Sequence, residues 1–242
     1  MLDDSPEASA REAVTSVQDD RVRYIAREVP SKGRPAVVRN EGARLAQGGY
    51  LHFLDDDDLL EPGALRCLKS ALEGRPEVGM AFGVITPFGD NAEELRQQTA
   101  FFEEAARAAR ALRDPRQLVA NLMFHSPVLV NSACMARRDA FMEVGGYDLE
   151  MPVCEDLELW ARIAQRCGFV FVDCPVMRYR TGAPSLMHAP TVQEKLLTSY
   201  DHWYAKYRLE HGALGFLAFK LVFKMWARCW PRSPWVKWDS PG

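Results

Sequence analysis

Gly49-Tyr-Leu-His-Phe-Leu-Asp-Asp-Asp-Asp-Leu-Leu-Glu-Pro62 runs from an apolar, aromatic segment straight into four consecutive acids. Tyr50 to Leu54 is short and apolar enough for a buried strand, and Pro62 stands where a following helix would open. The carboxylates then fall at the C-terminal end of a strand, the place where open α/β sheets bind ligands. Four adjacent acids are also what a solvated turn looks like, so position has to decide. On a strand-like path Asp55 and Asp57 project to one side and Asp56 to the other. Two carboxylates two residues apart suit a hard divalent cation, Mg²⁺ or Mn²⁺, which takes its remaining ligands from substrate phosphates.

The flanking sequence supports an α/β chain. On the N-terminal side, Ser9 to Val17 has helical character with Ser9 as N-cap and Glu12 as its capping-box partner. Arg21 to Ala26 alternates like a short strand, and Val29 to Arg34 is a loop. Pro35 to Gln47 predicts a helix stopped by Gly48-Gly49. On the C-terminal side, Pro62 to Leu72 predicts an amphipathic helix with Leu65, Leu68 and Leu72 on one face and Gly74 after it. Val78 to Thr86 reads as a buried strand, 91–121 as a charged helix covering the surface, and Ser126 to Ala136 as a strand. Arg138 to Val144 is a short helix broken by Gly145-Gly146. Glu155 to Cys167 is a helix with Leu159, Trp160, Ile163 and Cys167 inward. Phe169 to Asp173 and Val176 to Arg180 are strand-like runs separated by Pro175.

Composition bounds the rest. The chain of 242 residues is long enough for a sizeable core, and 30 basic against 33 acidic residues give a net charge of -3, which offers no general attraction to nucleic acid. Cys67, Cys134, Cys154, Cys167, Cys174 and Cys229 show no C-x-x-C pair or metal-ligand spacing, and predict reduced thiols in a cytoplasmic protein. Met1 to Asp20 is polar and acidic, unlike a signal peptide.

Two enzyme classes place D-x-D at a strand end. In a phosphohydrolase of the haloacid dehalogenase type, Asp55 is the nucleophile and Asp57 the acid. In a nucleotide-sugar glycosyltransferase, the acids hold ribose and a metal on the diphosphate. The surrounding blocks favour the second. Arg39-Asn40-Glu-Gly, Ala46-Gln-Gly-Gly-Tyr50 and Phe53-Leu-Asp-Asp-Asp-Asp58, followed by a Pro-led helix, resemble the R-N-x-G, A-x-G-x-Y and F-L-D-x-D-D elements of family 2 glycosyltransferases. Val144-Gly-Gly-Tyr-Asp148 and Glu155-Asp-Leu-Glu-Leu-Trp-Ala-Arg162 are similar to that family's G-G-F-D and E-D-x-x-L-W-x-R elements. The likeness runs from about Leu2 to Arg180.

That resemblance implies a GT-A, Rossmann-like mixed sheet flanked by helices, spanning residues 1–190, with a helical extension over 191–242. It implies Asp57 as ligand of Mn²⁺ or Mg²⁺, Asp55 on the nucleoside side of the donor and Asp58 in support. Asp156 matches the general base of inverting members. Asp3 and Asp4 resemble the D-D-G-S element that helps hold the nucleobase, although Ser5-Pro6 follows directly and the Gly is absent. Arg39 and Arg180 are further donor-binding candidates. Thr181 stands where a His is frequent, and His188 is a candidate substitute ligand. The partners implied are a nucleotide sugar and a glycan or lipid-linked acceptor, and an inactive remnant serving as an interaction module is the non-enzyme alternative.

Family members open with a strand, a helix and a second strand before the D-D-G-S element, whereas this sequence opens at that element. The expectation is therefore an N-terminally truncated domain that by itself binds nucleotide sugar poorly and is marginally stable. At the other end, Gly212 to Trp230 is apolar and aromatic except for Lys220, Lys224 and Arg228, spaced four residues apart on one helical stripe. Two readings stay open there: an interfacial helix lying on the inner face of a membrane, or a helix packed on the domain with its cations solvated.

Overall fold

The computed structural model describes residues 1–124, 128–182 and 191–227, with the backbone alone at 222 and 224–227. The chain divides into two compact units, Met1–Gly48 and Gly49–Gly242. The domain boundary expected at residue 190 lies outside the described residues.

In the first unit, β1 (Leu2–Asp3) pairs in parallel with β2 (Ile25–Ala26), with α1 (Arg11–Thr15) between them and α2 (Pro35–Leu45) after them. Ser9 does not cap α1. Its hydroxyl bonds Ser5 Oγ at 3.0 Å, and the helix starts two residues later than its sequence suggests. The strand expected from Arg21 shrinks to Ile25–Ala26, because only two residues find a partner strand. Pro35 occupies the first turn of α2, where its missing N–H costs nothing.

The second unit is built on a five-stranded mixed sheet in the order β3-β6-β5-β7-β4. Its strands are β3 (Tyr50–His52), β4 (Leu59–Leu60), β5 (Met80–Phe88), β6 (Cys134–Arg137) and β7 (Phe169–Arg180). β5 and β7 run parallel at its centre, and the other three pairings are antiparallel. Pro175, expected to divide two strands, is accommodated inside one. The β5–β7 register shifts on either side of Val84, opposite the proline, which spares the missing N–H. Gly83 sits at that irregularity, where a Cβ would come within 2.5 Å of Val176 Cγ1.

Helices cover the sheet. Ala64, Leu68 and Leu72 of α3 (Ala64–Leu72) are buried, whereas Leu65 is left exposed. These residues pack with Ala81, Ile85, Met135, Val176 and Met177 from three strands and with Phe102 from the helix after β5. The single helix expected over 91–121 is two: α4 (Ala92–Ala111), capped by Asn91 Oδ1 accepting from Glu93 and Glu94, and α5 (Pro115–Phe124). Pro115 forces the break, since it cannot continue α4 but opens α5 favourably. Of the strand expected over 126–136, residues 126 and 127 lie outside the described residues. The chain then makes a 3₁₀ turn, Asn131–Ala133, and enters β6 directly from it. Next come α6 (Arg138–Glu143), α7 (Glu155–Cys167) and α8 (Val192–Ala227), the last interrupted at Gly212 by a non-helical φ of 73°. The reduced-thiol expectation is corrected at one pair. Cys67 of α3 and Cys174 of β7 are joined in a disulfide, at a separation of 107 residues that no local pattern signals.

Candidate active site

The acidic loop leaves β3 at its C-terminal end and returns through β4, so its path is fixed at both ends by sheet pairing. Asp58 N–H closes a turn on Asp55 C=O at 3.2 Å. Leu59 and Leu60 then pair with Arg178 and Met177 of β7. This two-residue strand had no sequence signal of its own, yet it brings Arg180 to the loop. Arg180 donates Nε–H to Asp57 C=O at 2.9 Å and its backbone N–H to Asp58 Oδ1 at 3.3 Å. The guanidiniums of Arg178 and Arg180 lie 4.7 and 4.6 Å from the Phe88 ring centre, which holds both cations on one face of the strand end.

Ser132, fully buried in the 3₁₀ turn, is the residue that sequence reasoning missed. Its hydroxyl accepts the Asp55 N–H at 3.0 Å, its carbonyl meets His52 Nε2 at 3.0 Å, and it hydrogen-bonds the Asp58 carboxylate. A lone Ser carries no motif, so only the fold could have pointed to it.

The four acids are unequal. Asp56 is exposed, Asp55 and Asp57 are half-buried, and Asp58 is buried. Burial pushes the Asp58 carboxyl up to about 6 despite the hydrogen bonds from Ser132 and Arg180, and the charges of Asp57 and Asp55 add to the rise. Burial likewise raises Asp57, with Asp55 and Asp56 adding to it and Arg180 opposing. The loop thus carries crowded negative charge on hard oxygen donors, a donor set that fits Mn²⁺ or Mg²⁺. Its carboxylates do not converge as a three-ligand cluster among the described residues. A cation here would draw further ligands from a bound diphosphate.

Asp156 stands in the first turn of α7, where the positive end of the helix favours its ionised form. Cys154, just before the helix, takes a left-handed φ of 57°, an uncommon conformation for a residue with a side chain. Secondary to burial, the charge of Asp156 raises the thiols of Cys134 and Cys154 and the Tyr200 hydroxyl. One short segment therefore meets both groups of acids: Ser132 binds the loop, and Cys134, two residues on, feels Asp156.

The second motif block is held by charge. Arg162 donates Nη2–H to Gly146 C=O at 2.7 Å and also bonds Val144 C=O, which fastens the Gly145-Gly146 turn to α7. It forks onto Glu158 at 2.7 and 2.6 Å. Lys206 of α8 bridges Glu158 at 2.7 Å and Asp148 at 2.8 Å. Asp148, Glu150 and His202 are the one trio of metal-ligand type among the described residues. The Lys206 ammonium already supplies positive charge there, so the cluster is a cation-compensated brace.

In the first unit, Asp3 is buried and accepts from Ser5 N–H, Ser5 Oγ, Ala10 N–H and Tyr24 Oη at 2.6 to 3.0 Å. The two bonds from Ser5 lead in holding its carboxyl low. Burial opposes ionisation of Asp4, but bonds from Ser31 and Arg27 outweigh it and lower its carboxyl as well. Arg39 is half-buried on α2. Thr181 is buried and its hydroxyl donates to Phe88 C=O at 3.3 Å, whereas His188 lies outside the described residues.

A family model described as glycosyltransferase like family 2 matches residues 1–225. Among curated proteins, MT1568 of Mycobacterium tuberculosis is 30% identical over 140 residues, 55% of this chain and 42% of its own length. The protein y4gI of Sinorhizobium fredii is 33% identical over 67 residues, 28% of this chain and 7% of its own. The chain thus spans less than half the length of the curated relatives it matches. Among solved structures, residues 1–349 of S. aureus TarS superimpose with a TM-score of 0.55 at 13% identity, covering 74% of this chain and 50% of that one. Its complex with UDP gives 0.56 at 12% identity, covering 84% and 54%. At that identity the likeness is one of fold, and the fold is the helix-flanked mixed sheet of GT-A glycosyltransferases.

Proposed function

The chain belongs to glycosyltransferase-like family 2, and on that premise we propose that it moves a sugar from a nucleotide-sugar donor to a glycan or lipid-linked acceptor, with inversion, on the cytoplasmic side of a membrane. The acidic loop carries this conclusion. Ser132 and Arg180 fix its backbone while Asp55 and Asp57 remain partly open to solvent with their charge crowded together. The UDP complex of the structurally similar TarS supports a nucleotide donor.

Asp57 would hold Mn²⁺ or Mg²⁺, with Asp55 on the nucleoside side and Asp58 bracing the turn. The ion would neutralise charge gathering on the leaving diphosphate. Arg180, latched to the loop backbone, adds a fixed cation beside the same phosphates. Asp156 accepts the proton that the acceptor hydroxyl loses as its oxygen attacks the anomeric carbon, and the helix end keeps that carboxylate ionised beforehand. Asp3, Asp4 and Arg39 carry donor-binding roles within their own unit.

The test is transfer from a panel of nucleotide sugars, with UDP and Mn²⁺ binding followed by calorimetry. Asp57→Asn is expected to lose Mn²⁺-dependent UDP binding together with transfer. Asp156→Asn is expected to keep the binding and lose transfer by about 10²- to 10⁴-fold, the usual weight of a general base. Full transfer by Asp156→Asn would refute the base assignment. Release of phosphate from a simple ester, without transfer, would favour the phosphohydrolase.

A further inference from the structure

Beyond Gly212 the last helical segment has two apolar faces, and among the described residues only one is covered. Phe216 and Phe223 are buried, and with Phe219 they ring Phe124 at the end of α5 at centroid distances of 5.1 to 6.1 Å. On the far side Leu214, Leu217 and Leu221, spaced as neighbours on one helical stripe, are 83%, 52% and 53% exposed. Three solvated leucines in a row oppose the usual logic of a helix that has already buried its aromatic face.

Charge decides what covers them. Residues 213–227 contain no acid, and Lys220, which is exposed, lies along the flank of the leucine stripe. The sequence adds a further cation, Lys224, four residues on. Residues 228–242 lie outside the described residues, but their sequence adds Arg228, Arg232 and Lys237 against Asp239, together with Trp230, Trp235 and Trp238. No described helix is long and apolar enough to cross a membrane. Pairing with a second copy through these leucines would set like-charged rows side by side with no acid to offset them.

We propose that the Leu214–Leu217–Leu221 face, flanked by Lys220, seats on an anionic phospholipid surface, with the helix lying in the plane of the headgroups. The leucines enter the acyl boundary, and Lys220 extends to the phosphates. Phe216, Phe219 and Phe223 stay on α5, so the globular unit is held at the surface without rearranging its packing. This seating is independent of the transfer reaction, and its test reads binding alone.

The full chain is sedimented with vesicles of phosphatidylcholine, with or without phosphatidylglycerol. Binding is expected only to the anionic vesicles and is expected to fall as salt rises. Replacing Lys220, Lys224 and Arg228 by Gln should weaken it about 100-fold. L214S/L217S/L221S should weaken it by about tenfold or more, with an unchanged melting curve because these side chains face away from the core. If the triple variant melts lower, Leu214→Ser alone supplies the comparison. A chain that stays in the supernatant with anionic vesicles overturns the proposal, as does a leucine variant that binds as tightly as the parent. Leucine-dependent dimers in sedimentation velocity without vesicle binding would assign the face to a second copy instead.

Discussion

Asp58 shows how a single carboxylate is held against its own preference. It is buried, it has two acidic neighbours, and the hydrogen bonds from Ser132 and Arg180 only partly restore its ionised form, leaving its carboxyl up at about 6. A folded-state value above the unfolded value near 3.9 means that the native state binds the proton more tightly. Stability is therefore unpenalised below about pH 4, declines as pH rises towards 6, and is reduced throughout above that. Asp58→Asn removes the buried charge and leaves an oxygen to accept from Arg180. In EDTA the variant is expected to be more stable than the parent by roughly 1–3 kcal/mol at pH 8 and no more stable at pH 4. Urea melts at the two pH values measure this; an equal effect at both would show that ionisation is not the cause. Transfer should fall in the same variant, since the Asp58 carboxylate braces the acidic loop through Ser132 and Arg180.

Among the elements, α7 was the most legible. Its bounds, Glu155 to Cys167, its inward Leu159, Trp160 and Ile163, and the stop at Gly168 all follow from periodicity and a left-handed glycine, because an amphipathic helix writes its burial into local spacing. Its partners were not legible. Glu158, which Arg162 also grips, meets α8 through Lys206, and Lys206 also meets Asp148, contacts that depend on where the chain returns after long excursions. The same cause hid β4 and the Cys67–Cys174 pairing. Lys206→Met should lower stability at pH 7 by about 1–3 kcal/mol, because it leaves Asp148 and Glu158 short of a charged hydrogen bond. Acid sensitivity checks the origin. Burial opposes ionisation of Asp148, but Lys206, Glu150 N–H and His202 outweigh it and depress its carboxyl. Its contribution is then whole above roughly pH 4 and is lost as pH falls through the depressed folded value. The parent should lose stability steeply in that acid range and the variant less so. Parallel curves would place the stabilisation elsewhere.

At the scale of the whole chain, the two units differ in what they can bury. Residues 49–242 hold a five-stranded sheet and an apolar cluster drawn from α3, α4 and three strands. In residues 1–48, Asp3, Ala36 and Ala43 are the only buried residues, and each strand has two residues. The family resemblance implied a single GT-A domain over residues 1–190. Motifs and element order are read locally, but the amount of core is not a local property and had to be seen in three dimensions. A segment of this length with two buried alanines falls below what an isolated domain needs, whereas the second unit is well above it. Residues 49–242 expressed alone are therefore expected to melt in a single cooperative transition, and residues 1–48 alone to show neither a cooperative transition nor protected amides in hydrogen exchange. A cooperative melt of the short segment, or its absence in the long one, would contradict this division. The acidic loop, Ser132, Arg180 and Asp156 all belong to the longer piece. It should accordingly retain the Asp58 pH signature in urea melts at pH 4 and pH 8.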